Sequence, residues 1–388
     1  MKKLILILSI VLIFSKIAYG DADTEVDESY INKKIDSLVD TSEIDEFIDE
    51  ISQDNNLHLE GGLKTIVYKA VKGENILNSQ SIKEMTIEMA FKELKSALTI
   101  LSKILVIVII SAILTNLQNS FEESSISELA GYVNYMIVAI LVISNFAQIM
   151  DMTKISIDRM TSFMQILLPI LLTLLIIAGG PNTKIIFHPM ILGMVNIVGL
   201  VIKRIVFPLI YFSFIVSLLS NFSERAELSK LSEIGRKIIT YIISIAFTIF
   251  IGILTIYGLS SKIDGISIRT AKFAVDKFVP IVGGFLSDSV DAVIGSMTIL
   301  KNGIGIVGLI MLVIIILAPL IKLTILLFIY TITGAIIEPI ASKNITQFFN
   351  DISKTFLLIL ITMVSLGIMF FITITMVVDT GNNLLMLR

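Results

Sequence analysis

The sequence predicts an all-α protein of the polytopic membrane class, with about 8–10 membrane helices. Three observations lead there. Of 388 residues, 55% are hydrophobic and mean hydropathy is +0.90, against about 45–50% apolar residues in soluble domains. Apolar runs long enough to cross a bilayer recur along the chain. The chain also opens on an export signal. Lys2 and Lys3 form its positive start, and Leu4 to Phe14 an apolar core too short to span comfortably. Ala18-Tyr19-Gly20 then puts small residues at a cleavage site, so residues 1–20 read as a secretory signal peptide. An uncleaved anchor helix is the alternative. Either way the segment that follows is exported.

Residues 21–80 form an acidic extracytoplasmic segment. Within 21–60 there are 14 Asp and Glu against two Lys. Ile31, Ile35, Leu38, Ile44, Phe47, Ile48 and Ile51 recur at helical spacing, which predicts short amphipathic helices. A solvated, partly ordered lead-in is the plainer reading and a docking surface the sharper one. Ser81-Ile82-Lys83-Glu84 has the spacing of a capping box, so a lead-in helix should start there.

That helix runs into a first span at 98–118. Others fall near 131–150, 163–179, 187–203, 205–222, 238–259, 303–321, 323–338 and 355–378. The run 185–222 would be about 57 Å long as one helix, too long for one crossing of a hydrocarbon core of about 30 Å. Lys203, Arg204 and Pro208 mark its expected break, and Pro319 with Lys322 the break of 303–338.

Related segments recur. SELAGYVNYMIVAILVIS starts at Ser127, SEIGRKIITYIISIAFTI at Ser232 and NDISKTFLLILITMVSLG at Asn350. Arg159-Met-Thr-Ser-Phe precedes Pro169 as Arg269-Thr-Ala-Lys-Phe precedes Pro280. The pattern predicts an internal repeat of about 110 residues. It divides the chain into a lead-in helix and first hairpin (81–150), repeat unit A (151–259), unit B (260–378) and a tail (379–388). Glu128, Glu233 and Asp351 near the span entrances read as helix-capping acids.

Composition excludes several functions. There is no Cys and only two His, His58 and His188, so thiol catalysis and Cys- or His-rich metal sites are out. The net charge of −3 indicates no nucleic-acid partner. Gly303-Ile-Gly-Ile-Val-Gly308 matches a dinucleotide fingerprint but opens a lipid-type helix, so close helix packing explains it better. No residue set supports an enzyme, a catalytic site or a cofactor. Lys103, Lys203, Arg204, Lys322 and Glu338 lie near span ends, where snorkelling is the duller explanation.

The stretch 265–296, GISIRTAKFAVDKFVPIVGGFLSDSVDAVIGS, is different. As a helix it places Arg269, Lys272, Asp276, Ser287 and Asp291 on roughly one polar face, with Phe273, Val290 and other apolar residues covering the rest. Pro280 removes a backbone donor, and Gly283 and Gly284 weaken the helix beyond it. Two short amphipathic helices with a hinge at Pro280, Gly283 and Gly284 are expected, each too short to cross alone. They lie in the interface, or re-enter the membrane with their polar face covered by protein or water. Arg269, Lys272, Asp276, Ser287 and Asp291 are the candidate path-lining residues.

SIRTAKFAVDKFVPIVG (267–283) and LSDSVDAVIGSMTILKNGIGIVG (286–308) closely resemble the stage III sporulation protein AE family of endospore-forming bacteria. QNSFEES (118–124), IFHPMIL (186–192), PLIYFSFIVSLLS (208–220) and the tail LMLR extend the likeness over nearly the whole chain, the acidic 21–60 segment least. The resemblance implies a non-enzymatic multi-pass subunit of a channel complex in the mother-cell membrane around the engulfed forespore. It implies membrane and extracytoplasmic partner subunits, among them ring-forming domains, together with a cytoplasmic ATPase. It transfers no catalytic residues. A stand-alone secondary transporter is the alternative, since internal repeats and a broken charged helix fit that class too.

Overall fold

The computed structural model describes residues 28–38, 40–54, 61–74, 76, 79–118, 124–178, 181–222, 228–278, 283–341 and 343–386. The signal-peptide expectation for 1–20 and His58 lie outside these residues. Every regular element among them is helical.

Three short helices come first: α1 Glu28–Leu38, α2 Ser42–Asp54 and α3 Leu63–Val71. The predicted apolar stripe is their core: Ile31, Ile35, Ile44, Phe47, Ile48 and Ile51 are buried with Leu63, Ile66 and Val67. Two hydrogen bonds from Ser42 to Asp40 set the turn into α2 and hold that carboxyl below its ordinary range. Gly61 takes a left-handed φ of 88° before α3, and Asp45 of α2 accepts from the Leu63 N–H at 2.6 Å, capping a helix whose own N-cap residue is Gly62. The segment is therefore more ordered than a solvated lead-in. Burying one face of each acidic helix against its neighbours orders it.

Long helices follow: α4 Ser79–Gln118, α5 Ser124–Ile177, α6 Pro181–Val201, a π turn Ile202–Val206, α7 Phe207–Phe222, α8 Ser229–Phe278, α9 Gly283–Ile337 and α10 Lys343–Met386. Because α4 begins at Ser79, Ser81 lies inside its first turn rather than at its cap.

Among the described residues five helical segments are long and apolar enough to cross a membrane: Tyr135–Ile177, Pro189–Phe222, Ser229–Gly258, Ala292–Ile337 and Lys343–Thr380. Three pairs of expected spans merge (131–150 with 163–179, 187–203 with 205–222, 303–321 with 323–338), while 238–259 and 355–378 stay single, so among the described residues the candidate spans are fewer and longer than the 8–10 expected. The breaks read from charge and proline are bridged without a chain reversal. At 202–206 the backbone stays helical on both sides, and the Phe207 N–H reaches back five residues to the Ile202 carbonyl. A π turn of this kind makes room for Pro208, which lacks a donor and would crowd an ordinary turn. Lys203 pairs with Asp158 of α5, and Lys322 approaches Glu93 of α4 at 3.9 Å. Pro169 and Pro319 sit inside α5 and α9. The polar stretch 151–162 continues α5 because Thr153, Ser156, Ile157 and Met160 face inward.

Contacts fix the directions. Tyr135 meets Phe348 and Phe146 meets Phe356, so α5 and α10 run parallel. Arg236 meets Asp351 and Gly258 meets Met376, so α8 runs with them. Helix α9 runs opposite to α10, Tyr330 stacking near Phe349 while Lys301 reaches Val378. Helix α7 opposes α5, Tyr135 bonding the Leu218 carbonyl while Phe146 stacks on Phe214 at 3.8 Å. Three helices thus begin where two others end, and the bundle has two distinct ends.

Candidate functional site

One end is organised around a single carboxylate. Asp351 accepts hydrogen bonds from Ser217 (2.8 Å) and Asn221 (3.2 Å) of α7, Arg236 of α8 (3.3 Å) and Lys354 of α10 (3.5 Å). Tyr135 of α5 bonds the adjacent Leu218 carbonyl at 2.7 Å. Four long helices meet there. The Arg236 and Asp351 side chains are only 12% and 14% exposed, which separates this pair from a solvent-screened surface bridge.

This corrects the capping role expected for Asp351. It stands two turns inside α10, where no free N–H groups remain to cap. Glu233 also lies inside its helix and pairs with Lys237 at 2.9 Å. Glu128 lies inside α5, and its side chain is outside the described part of the structure.

The second place is a crossing on α9. Gly303 meets Val67 and Val71 of α3, Gly305 meets Val378 of α10, and Gly308 meets Leu167 of α5. The GxGxxG spacing therefore brings three different elements close to one helix, as small residues do in membrane bundles. Nearby, α2 docks on α5: Phe47 stacks on Phe163 at 5.4 Å, and Arg159 bonds Glu50 at 3.1 Å. Lys301, two residues before Gly303, is fully buried and donates to the Val378 carbonyl at 2.5 Å. Lys301, two residues before the expected 303–321 span, is not among the charges singled out from the sequence. The available signal was periodicity: Ile294, Met297, Lys301, Ile304 and Gly308 are three or four apart, so Lys301 falls on an inward stripe.

The third place is the charged stretch itself. Arg269, Lys272 and Asp276 belong to α8, which ends at Phe278; Ser287 and Asp291 belong to α9, which starts at Gly283 with Gly284 second. Their side chains, and Pro280 entirely, lie outside the described part of the structure. The expected halves are not two free-standing helices. They are the far ends of helices of 50 and 55 residues, so neither has to cross a membrane alone. Phe273, expected on a covered apolar face, is 65% exposed in the single chain, and Val293 is 43% exposed. Lys103, Arg204 and Glu338 are exposed; Glu338 directly follows the end of α9, whereas Lys103 lies inside α4 and Arg204 in the π turn, so neither of these two stands at a helix end. The side chain of His188 lies outside the description.

These features define the class: a multi-pass α-helical membrane protein whose N-terminal helices dock onto the long-helix bundle. The family described as stage III sporulation protein AE matches residues 62–381. The chain is also 31% identical over 376 residues to stage III sporulation protein AE of Bacillus subtilis (strain 168), covering 96% of this chain and 94% of that protein. The chain belongs to the stage III sporulation protein AE family. No solved structure matches it. Helices α1 and α2 precede the residues that the family model matches, in the 21–60 segment where the likeness read from the sequence is least.

Proposed function

We propose that the chain is a non-enzymatic, multi-pass subunit of a channel complex. The complex lies in the mother-cell membrane around the forespore and serves forespore development after engulfment. The family match over residues 62–381 carries this reading. Helix length supports it: α5 and α9 are each about 80 Å long, against a hydrocarbon core of about 30 Å. Each must tilt steeply, bend or project beyond lipid, and projecting helices give a conduit protein walls outside the bilayer.

In this reading α1–α3 face the extracytoplasmic space and meet other subunits there. The α8–α9 tip lines an aqueous path with Arg269, Lys272, Asp276, Ser287 and Asp291, and hinges at Pro280, Gly283 and Gly284. The repeat of about 110 residues would supply the paired hairpins of that wall. In-frame deletion of the gene tests the role. Sporulation should stop after engulfment, with few heat-resistant spores, and a plasmid copy should restore them. A normal spore yield from the deletion strain would sink the proposal.

A further inference from the structure

Lys301 is the one charged side chain among the fully buried residues described. A buried ammonium loses several kcal/mol of hydration, and a position needed only for packing would be filled better by Met or Leu. Intramembrane charges persist where they have a task. The surroundings of Lys301 indicate the task. Its ammonium bonds the carbonyl of Val378, whose side chain packs on Gly305. Asp379, next in sequence, is the acid whose charge acts on it. Gly303, two residues on, holds α3. The buried turn of α10 around Val378 and the docking point of the N-terminal helices therefore converge within one turn of α9.

We propose that Lys301 is a buried latch. It fixes the end of α10 to α9, and its release frees α10 beyond Val378 without loosening the bundle below. The latch is independent of the path-lining reading of the α8–α9 tip, because it concerns a different pair of helix segments.

The absence of cysteine makes the test direct. Thr380 is 3% exposed and Met363 is 0% exposed, so each can be replaced singly by Cys in the full-length protein in its native membrane. Both should react slowly with N-ethylmaleimide. Adding Lys301→Met should speed labelling of Thr380→Cys by about tenfold or more, the worth of a hydrogen bond to a charged group, and leave Met363→Cys slow. If Lys301→Met does not accumulate, Lys301→Gln is read instead: a neutral donor in the same place should give a smaller rise of about threefold. Unchanged protection of Thr380→Cys in the variant read overturns the latch. So does equal deprotection of both cysteines, which would make Lys301 a general determinant of the fold. Spore yield of the deletion strain does not enter either outcome.

Discussion

Replacing Asp351 by Ala is expected to cost about 3 kcal/mol of stability, the scale for breaking a largely buried ion pair. The substitution removes the common acceptor of Ser217, Asn221, Arg236 and Lys354. It leaves the Arg236 guanidinium, whose Nη1 is already buried without a partner among the described residues, with no acid to pair it. Detergent-purified protein titrated with SDS reads the loss. The double variant Arg236→Leu/Asp351→Leu should recover most of it, because removing both charges leaves no buried charge unpaired. A loss below about 0.5 kcal/mol for Asp351→Ala would mean the pair behaves as an exposed surface bridge.

Gly303→Leu is the second large effect. A Cβ there would meet Val67 and Val71 side chains at 2.9 Å and the Val67 carbonyl at 3.4 Å. Valine tips can shift a little; a backbone carbonyl inside α3 cannot turn away. Overpacking of this kind costs about 1–3 kcal/mol, and here the easiest relief is separation of α3 from α9. A single Cys in place of Ile66, 3% exposed, should then label rapidly in the Gly303→Leu background and slowly without it. Gly252→Leu is the matched control, since a Cβ at Gly252 meets nothing within 4 Å. If both leucine variants leave the cysteine equally protected, the glycine is not what seats the N-terminal helices.

The membrane class, the helical content and the family were legible because they rest on composition, on 3.6-residue periodicity and on one long motif. The stripe from Ile31 to Ile51 was readable for the same reason, and it did become a core. What it packed against was not readable, because Phe163, on which Phe47 stacks, lies more than 100 residues away. That 187–203 and 205–222 form one continuous helical run was not readable, for a physical cause. Charge and proline normally end a lipid-facing helix, but Asp158 neutralises Lys203, and a π turn absorbs Pro208. Both compensations are tertiary or geometric and leave no mark in the local sequence. Asp351 was misassigned likewise: a Ser/Asn-Asp/Glu pair near a helix start looks like a cap until the helix is found to begin two turns earlier.

The claim that matters most for function is that the α8–α9 tip is lined by water on one side and covered on the other. Single cysteines at positions 269, 276 and 291, and separately at 273 and 290, can be challenged in sporulating cells with a membrane-impermeant thiol reagent from each aqueous side. The account predicts labelling of 269, 276 and 291 with protection of 273 and 290, the latter supplied by lipid or a neighbouring subunit because Phe273 is uncovered in the single chain. Uniform labelling of all five positions would contradict it and make the stretch an ordinary solvent-exposed turn.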